Sequence, residues 1–246
     1  MSFSRWDAQG NVYLVADGEL LTPERVREAV GDADGILEVL AEAPGRIQIA
    51  IWNPDGSPAE MSGNGTRIAA RWLAARTGAG SVVVAVGPRE VRARMLEGGL
   101  VEQELGPVAV SPAEEVEGIR FVPVDVGNPH AVVEGDPDEL LRIGPLLETH
   151  PRFPRRTNVQ VARRAGGGEV VARVWERGVG ETGSSGSSAI AVAAALGVSP
   201  ATIRFPGGPL HVTLVEDRAL LRGPAVRAEK EGDDDRQGRA GPFAAR

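Results

Sequence analysis

Ile49-Ala50-Ile51-Trp52-Asn53 and Ala172-Arg173-Val174-Trp175-Glu176 are two versions of one pattern, and each is followed nine positions later by a Ser-Gly pair, Ser62-Gly63 and Ser185-Gly186. Asn53 to Glu176 and Ser62 to Ser185 are the same 123 positions apart, half of the 246-residue chain. Ile47, Ile49 and Ile51 alternate with polar or small residues, as do Val170, Ala172 and Val174, which is the period of a half-buried strand. After each Ser-Gly comes an Ala-rich run, Thr66 to Ala75 and Ala189 to Leu196, with Gly78 or Gly197 as a stop signal. A strand, a loop and a helix recur in each half. Agreement of period, spacing and helix signals makes duplication the explanation, and the fold class is α/β of the α+β kind with two similar halves.

Pro112 and an acidic cluster at Ser111 to Glu117 interrupt the strand-like Val101 to Val110 segment, so the boundary is placed there. This gives an N-terminal lobe over 1–114 and a C-terminal lobe over 115–228. The charged, Gly-rich run 229–246 reads as a disordered, dispensable tail.

Hydrophobic residues at 42% and charged residues at 25% describe an ordinary compact protein. A net charge of -7 argues against nucleic acid as a partner. Arg5, Asp7 and Asn11 break any signal-peptide layout at the start, and the longest apolar run, Ala189 to Val198, is far short of the roughly 20 residues that cross a bilayer. The expectation is no membrane and a cytoplasmic location. Cysteine is absent, which removes disulfides, thiolate metal sites and thiol nucleophiles. A single lysine, Lys230 in the tail, is poorly placed for a pyridoxal phosphate Schiff base or a P-loop.

Asn53-Pro54-Asp55-Gly56-Ser57 ahead of Ser62-Gly63-Asn64-Gly65 sets turn-forming clusters between strand and helix, and Ser185-Gly186-Ser187 repeats the arrangement. A helix N-terminus offers unpaired N–H groups and partial positive charge to a carboxylate. A plain capped turn explains either loop alone. Two such helix ends together suit the gripping of one anion. Gly178-Val179-Gly180-Glu181-Thr182-Gly183 matches a dinucleotide fingerprint, but no acid from Ser184 to Val215 supplies its ribose contact. His130, His150 and His211 lack metal-ligand spacing, and no G-x-S-x-G elbow exists. His130 lies in the loop Gly127-Asn128-Pro129-His130, where a structural role and a site role are equally open.

Asn53 to Gly65 is similar to the diaminopimelate epimerase pattern N-x-D-G-S followed by C-G-N-G, with Ser62 in the cysteine place. Glu176 to Thr182, followed by Ser185-Gly186-Ser187, resembles that family's E-R-G-x-G-E-T and C-G-[ST] pattern, with Ser185 in the second cysteine place. Gly127 to His130, Arg156-Thr157-Asn158, Ala33-Asp34-Gly35, Pro206-Gly207-Gly208 and Gly223-Pro224-Ala225 follow in the expected order, so the resemblance runs from Phe3 to Val226. It implies two lobes, each a curved and mostly antiparallel sheet around a central helix, with the site in the cleft between them. It implies a homodimer, no cofactor and no metal, and inversion of an amino acid's α-carbon by a thiolate and a thiol, one from each half. Carried over by position, Ser62 and Ser185 stand for those two groups, with His130 and Glu176 as their helpers. Gly63, Asn64, Gly186 and Ser187 would hold the α-carboxylate. Asn11, Asn53, Asn128, Asn158, Glu176 and Arg177 would hold the rest of the substrate.

A cysteine thiol titrates near about 8.5, and a serine hydroxyl is several units more basic as its alkoxide. Each unit is worth about 1.4 kcal/mol, so serine is a poor base for an α-proton. Val12 and Ser188 also replace the family's usual Asp and Gly. Three readings stay open: an isomerase with weak or altered chemistry, a non-catalytic amino-acid binding protein, and an ordinary epimerase stripped of cysteine by design. Ile68, Ala131 and Ile190 stand where relatives often carry cysteine, and isoleucine is an odd designed replacement, which favours natural loss.

Overall fold

A computed structural model describes residues 2–18, 20–59 and 61–228, and the segment 229–246, expected above to be a tail, lies outside the described residues. The first half runs β1 (Ser2–Asp7), β2 (Val12–Asp17), α1 (Pro23–Ala29), β3 (Gly35–Ala43), β4 (Arg46–Trp52), β5 (Pro58–Ala59), α2 (Gly63–Thr77), β6 (Ser81–Val86), β7 (Arg89–Met95) and β8 (Leu100–Leu105). Two short strands follow, β9 (Ala109–Val110) and β10 (Glu114–Val116). The second half repeats the order with β11 (Ile119–Asp125), β12 (Pro129–Glu134), α3 (Leu140–Glu148), β13 (Asn158–Gly166), β14 (Glu169–Glu176), β15 (Gly180–Thr182), α4 (Gly186–Leu196), β16 (Ala201–Phe205), β17 (Gly208–Val215) and β18 (Arg218–Pro224). Last comes β19 (Val226–Arg227).

The alternation read in the sequence lies on β4 and β14, where Ile47, Ile49, Ile51, Val170, Ala172 and Val174 are all buried. Both Ala-rich runs are helices, closed by Gly78 at φ 73° and Gly197 at φ 60°, left-handed values that glycine adopts without strain. The pairing scheme is also duplicated. β2 pairs β3 and β4 pairs β6 in parallel, and β12 pairs β13 and β14 pairs β16 likewise. A helix bridges each parallel pair, while β1 on β2, β3 on β4 and β6 on β7 are antiparallel, as are β11 on β12, β13 on β14 and β16 on β17. The expected α/β fold of two similar lobes is the one observed.

Each sheet wraps one helix. Ile68, Ala69 and Leu73 of α2 pack on Leu37, Ile49 and Val84, while Ile190 and Val192 of α4 pack on Ala172, Ile203 and Leu221. α4 is apolar on every side after its first turn, as a helix enclosed by a sheet must be. The halves are joined by an antiparallel ladder of β8 on β18, from Leu105 opposite Ala219 to Leu100 opposite Pro224. Val91 and Leu105, from strands of the first half, belong to the core around α4. Each half also lends its last strand to the other, since β9 pairs β11 and β19 pairs β1.

Two details differ from the sequence reading. The Val101 to Val110 segment is two strands, because Gly106 turns to φ 150° ahead of Pro107 and redirects the chain. Ser111 to Glu117, read as an interruption, contains β10, which forms a hairpin with β11 through Glu117 at φ 50° and Gly118 at φ 73°. Two positive φ values in a two-residue loop match the twist of paired strands. Among the described residues no helix is long and apolar enough to cross a membrane.

Candidate active site

α2 and α4 meet at their N-termini. A β-carbon placed on Gly63 would lie 3.5 Å from Gly186 Cα, and one on Gly186 would lie 3.6 Å from Gly63 Cα and 2.8 Å from Leu221 Cδ2. The two backbones thus stand at van der Waals distance, and a side chain on Gly186 would have to displace the Leu221 methyl. Neither helix has an acidic residue in its first turn, so the unpaired N–H groups and partial positive charges of both ends converge uncancelled. Ser62 and Ser185, the residues immediately before these helices, are extended N-caps with φ of -142° and -147°.

The two serines are not used alike. Ser62 Oγ accepts from Gly65 N at 2.9 Å and from the Tyr13 hydroxyl at 3.2 Å. Ser185 makes no side-chain cap bond to its helix and is buried. Burial pushes the Tyr13 phenol up to about 12, with Glu176 and Asp34 adding to the rise and the Ser62 bond opposing it, so Tyr13 stays a proton donor. Burial also raises the Glu176 carboxyl, helped by Asp34 and resisted by Thr182, whose hydroxyl donates to Glu176 Oε1 at 2.6 Å. Asn64, buried, donates from Nδ2 to Asn11 Oδ1 at 3.1 Å and to Ser184 O at 3.3 Å, which links the lobes.

His130 is fully enclosed. Its Nε2 lies 3.0 Å from Asn128 Oδ1 and its Nδ1 2.9 Å from Gln160 Nε2, which also donates to Ser188 Oγ at 2.9 Å. These partners suit a neutral ring with its proton on Nε2, and burial, with a smaller contribution from Arg177, holds the imidazole down at about 3. Both ring nitrogens are therefore occupied by amides. Asn128 Nδ2 in turn reaches Ser187 Oγ at 3.5 Å.

Several expected substrate contacts hold loops in this structure. Asn158 donates to Pro129 O at 3.0 Å and accepts from Arg177 N at 3.0 Å. Glu148 accepts from Gly178 N and from Trp175 Nε1, both at 2.7 Å, and so anchors the turn carrying Arg177. Arg177 itself is exposed, with Nη1 donating to Arg155 O at 3.3 Å. Asn53 donates to Ser57 Oγ at 3.0 Å and accepts from Gly56 N at 3.0 Å, closing its own turn.

Sequence reasoning passed over Tyr13, Arg67, Glu148 and Gln160. Tyr13 is two residues after Asn11, a spacing that puts strand residues on one face. Arg67 is one of three arginines in α2, with Arg71 and Arg76, and nothing in the sequence marks it as the buried one. Glu148 and Gln160 carry no local signal either. Among the described residues no three His, Cys, Asp or Glu side chains converge to hold a metal.

This two-lobed fold is shared with solved structures at low identity. A hydroxyproline epimerase from Agrobacterium vitis, with bound trans-4-hydroxy-L-proline, matches with a TM-score of 0.63 at 17% identity over 92% of this chain and 88% of its own. A phenazine biosynthesis protein of the PhzF family from Bacillus anthracis gives 0.70 at 12% identity over 92% and 96%. Curated relatives are far nearer in sequence: diaminopimelate epimerases from Desulforudis audaxviator and Synechococcus elongatus are each 35% identical, over 92% of this chain and 96% of theirs. The family model for diaminopimelate epimerase matches residues 122–228. The chain belongs to the diaminopimelate epimerase family.

Proposed function

We propose that the cleft between α2 and α4 binds a free amino acid by its α-carboxylate, with Ser62 and Ser185 on opposite faces of the α-carbon, and that it inverts that carbon slowly and without a cofactor. The observation that carries this reading is the meeting of two acid-free helix N-termini at Gly63 and Gly186, each directly preceded by a serine. Diaminopimelate is the first candidate substrate, because the relatives bear that name. The chemistry is limited by the hydroxyls, which ionise several units above a thiol. Glu176, its carboxyl raised by burial, is the residue on hand to return a proton, whereas His130 is spent on Asn128 and Gln160.

A second reading, binding without turnover, is favoured by the double commitment of Ser62 Oγ to Gly65 N–H and Tyr13. One experiment separates the two. Exchange of the α-proton of LL- and meso-diaminopimelate with heavy water is followed for wild type, Ser62→Cys, Ser185→Cys and the double variant. Wild type should fall far below about 10 per second, the middle of the enzymic range. The double variant should exceed the sum of the singles by at least about tenfold, since an acid and a base on opposite faces act as a unit. A double variant that binds diaminopimelate yet stays inert would leave binding alone.

A further inference from the structure

Arg67, in the second turn of α2, is fully buried, and no carboxylate pairs with it among the described residues. Its Nε donates to Pro224 O at 3.0 Å and its Nη2 to Asn64 Oδ1 at 2.9 Å, while Nη1 has no hydrogen-bond partner among the described residues. Helical side chains lean toward the N-terminus, so a residue four positions after Gly63 carries its head group back to the first turn. The guanidinium lies there against the other helix as well: a β-carbon on Gly186 would sit 3.9 Å from Nη1, and one on Gly223 would sit 3.2 Å from Cζ. Gly223 thus leaves it room, and Nη1 borders the first turn of α4.

A buried guanidinium without a counter-ion is costly, and burial alone brings this one down to about 10, with Asp7 the only charge opposing the fall. The bonds to Pro224 O and Asn64 Oδ1 occupy Nε and Nη2, and they leave Nη1 and the positive charge itself unanswered among the described residues. An anion at the adjoining helix ends would neutralise it. The bond to Nη2 also decides which way Asn64 faces, because an amide oxygen fixed on Arg67 leaves the Nδ2 hydrogens for Asn11 and Ser184.

We propose that Arg67 is the positioning residue of the anion seat, holding the Asn64 amide in register and supplying fixed positive charge to a carboxylate bound at the N-termini of α2 and α4. This rests on the reading of the cleft as an amino-acid site. The probe is meso-diaminopimelate, titrated by calorimetry into wild type, Arg67→Met and Arg67→Lys. Loss of one charge-assisted contact predicts about 10- to 100-fold weaker binding to Arg67→Met, with part of the loss recovered in Arg67→Lys. A second measurement uses wild type alone: the slowly exchanging Nε–H signal of the one fully buried arginine among the described residues should shift in nitrogen NMR as the diacid saturates the site. Equal binding by wild type and Arg67→Met overturns this inference and leaves the site reading standing. No binding by wild type overturns both. If Arg67→Met does not fold, an unmoved Arg67 signal at saturation overturns the inference.

Discussion

At the scale of single residues, His130 gives the clearest test. Its imidazole is held at about 3 when folded, against an ordinary 6.5, so between those values the unfolded chain takes up a proton that the native state refuses. The contribution of His130 to stability is complete above the unfolded value and is lost as pH falls toward the folded one, at no more than about 1.4 kcal/mol per pH unit. Glu176 slopes the other way: its carboxyl is raised, so its contribution is present at low pH and lost as pH rises through the folded value. The readout is therefore the difference in urea unfolding free energy between wild type and His130→Gln, which should grow with pH across the acid window. A flat difference would mean that the ring is not held neutral. The sequence singled out His130 by its loop and left a structural and a site role equally open, and its enclosure by amides was not legible there. Gln160 and Ser188, the groups that occupy its environment, are brought to it by pairing of β12 with β13 and by packing of α4, and no local spacing encodes either contact.

At the scale of elements, the two helix caps look interchangeable in sequence and differ in structure. Ser62 caps α2 through Gly65 N–H and also receives Tyr13, whereas Ser185 makes no such bond to α4. Ser62→Ala should cost about 1 kcal/mol or more of stability, the usual loss for a serine cap. Ser185→Ala should cost less, because α4 keeps every bond that its cap supplies. Denaturant midpoints of the two variants decide the matter, and equal losses would contradict the asymmetry. Strand β4, strand β14 and both central helices were legible because their periods and glycine stops are local signals. The split of the 101–110 segment and the hairpin at 114–119 were not, since Gly106 and Gly118 are two among 32 glycines and Glu117 is a residue type that seldom takes a positive φ. The repeat implied that whatever pairing one half adopts the other would share, but neither the parallel pairs nor the ladder between β8 and β18 was read from it.

At the scale of the whole molecule, the ladder and the shared core bind the two halves into one unit. Six residue pairs join β8 to β18, and Val91 and Leu105 complete the core around α4 from the other half. Calorimetry should accordingly find one transition, with the calorimetric and van't Hoff enthalpies equal. Two resolved transitions, or a ratio of enthalpies well above one, would show that the halves unfold separately. The exchange of β9 and β19 has a consequence for any attempt to cut the chain in two. Each half closes the outer edge of the other's sheet, and each supplies one of the helix ends that meet at Gly63 and Gly186. A single half expressed alone would leave β1 or β11 without that cover, an open row of backbone donors and acceptors that invites pairing with another chain. Co-expressed halves should therefore seek each other out as partners rather than persist as soluble separate pieces.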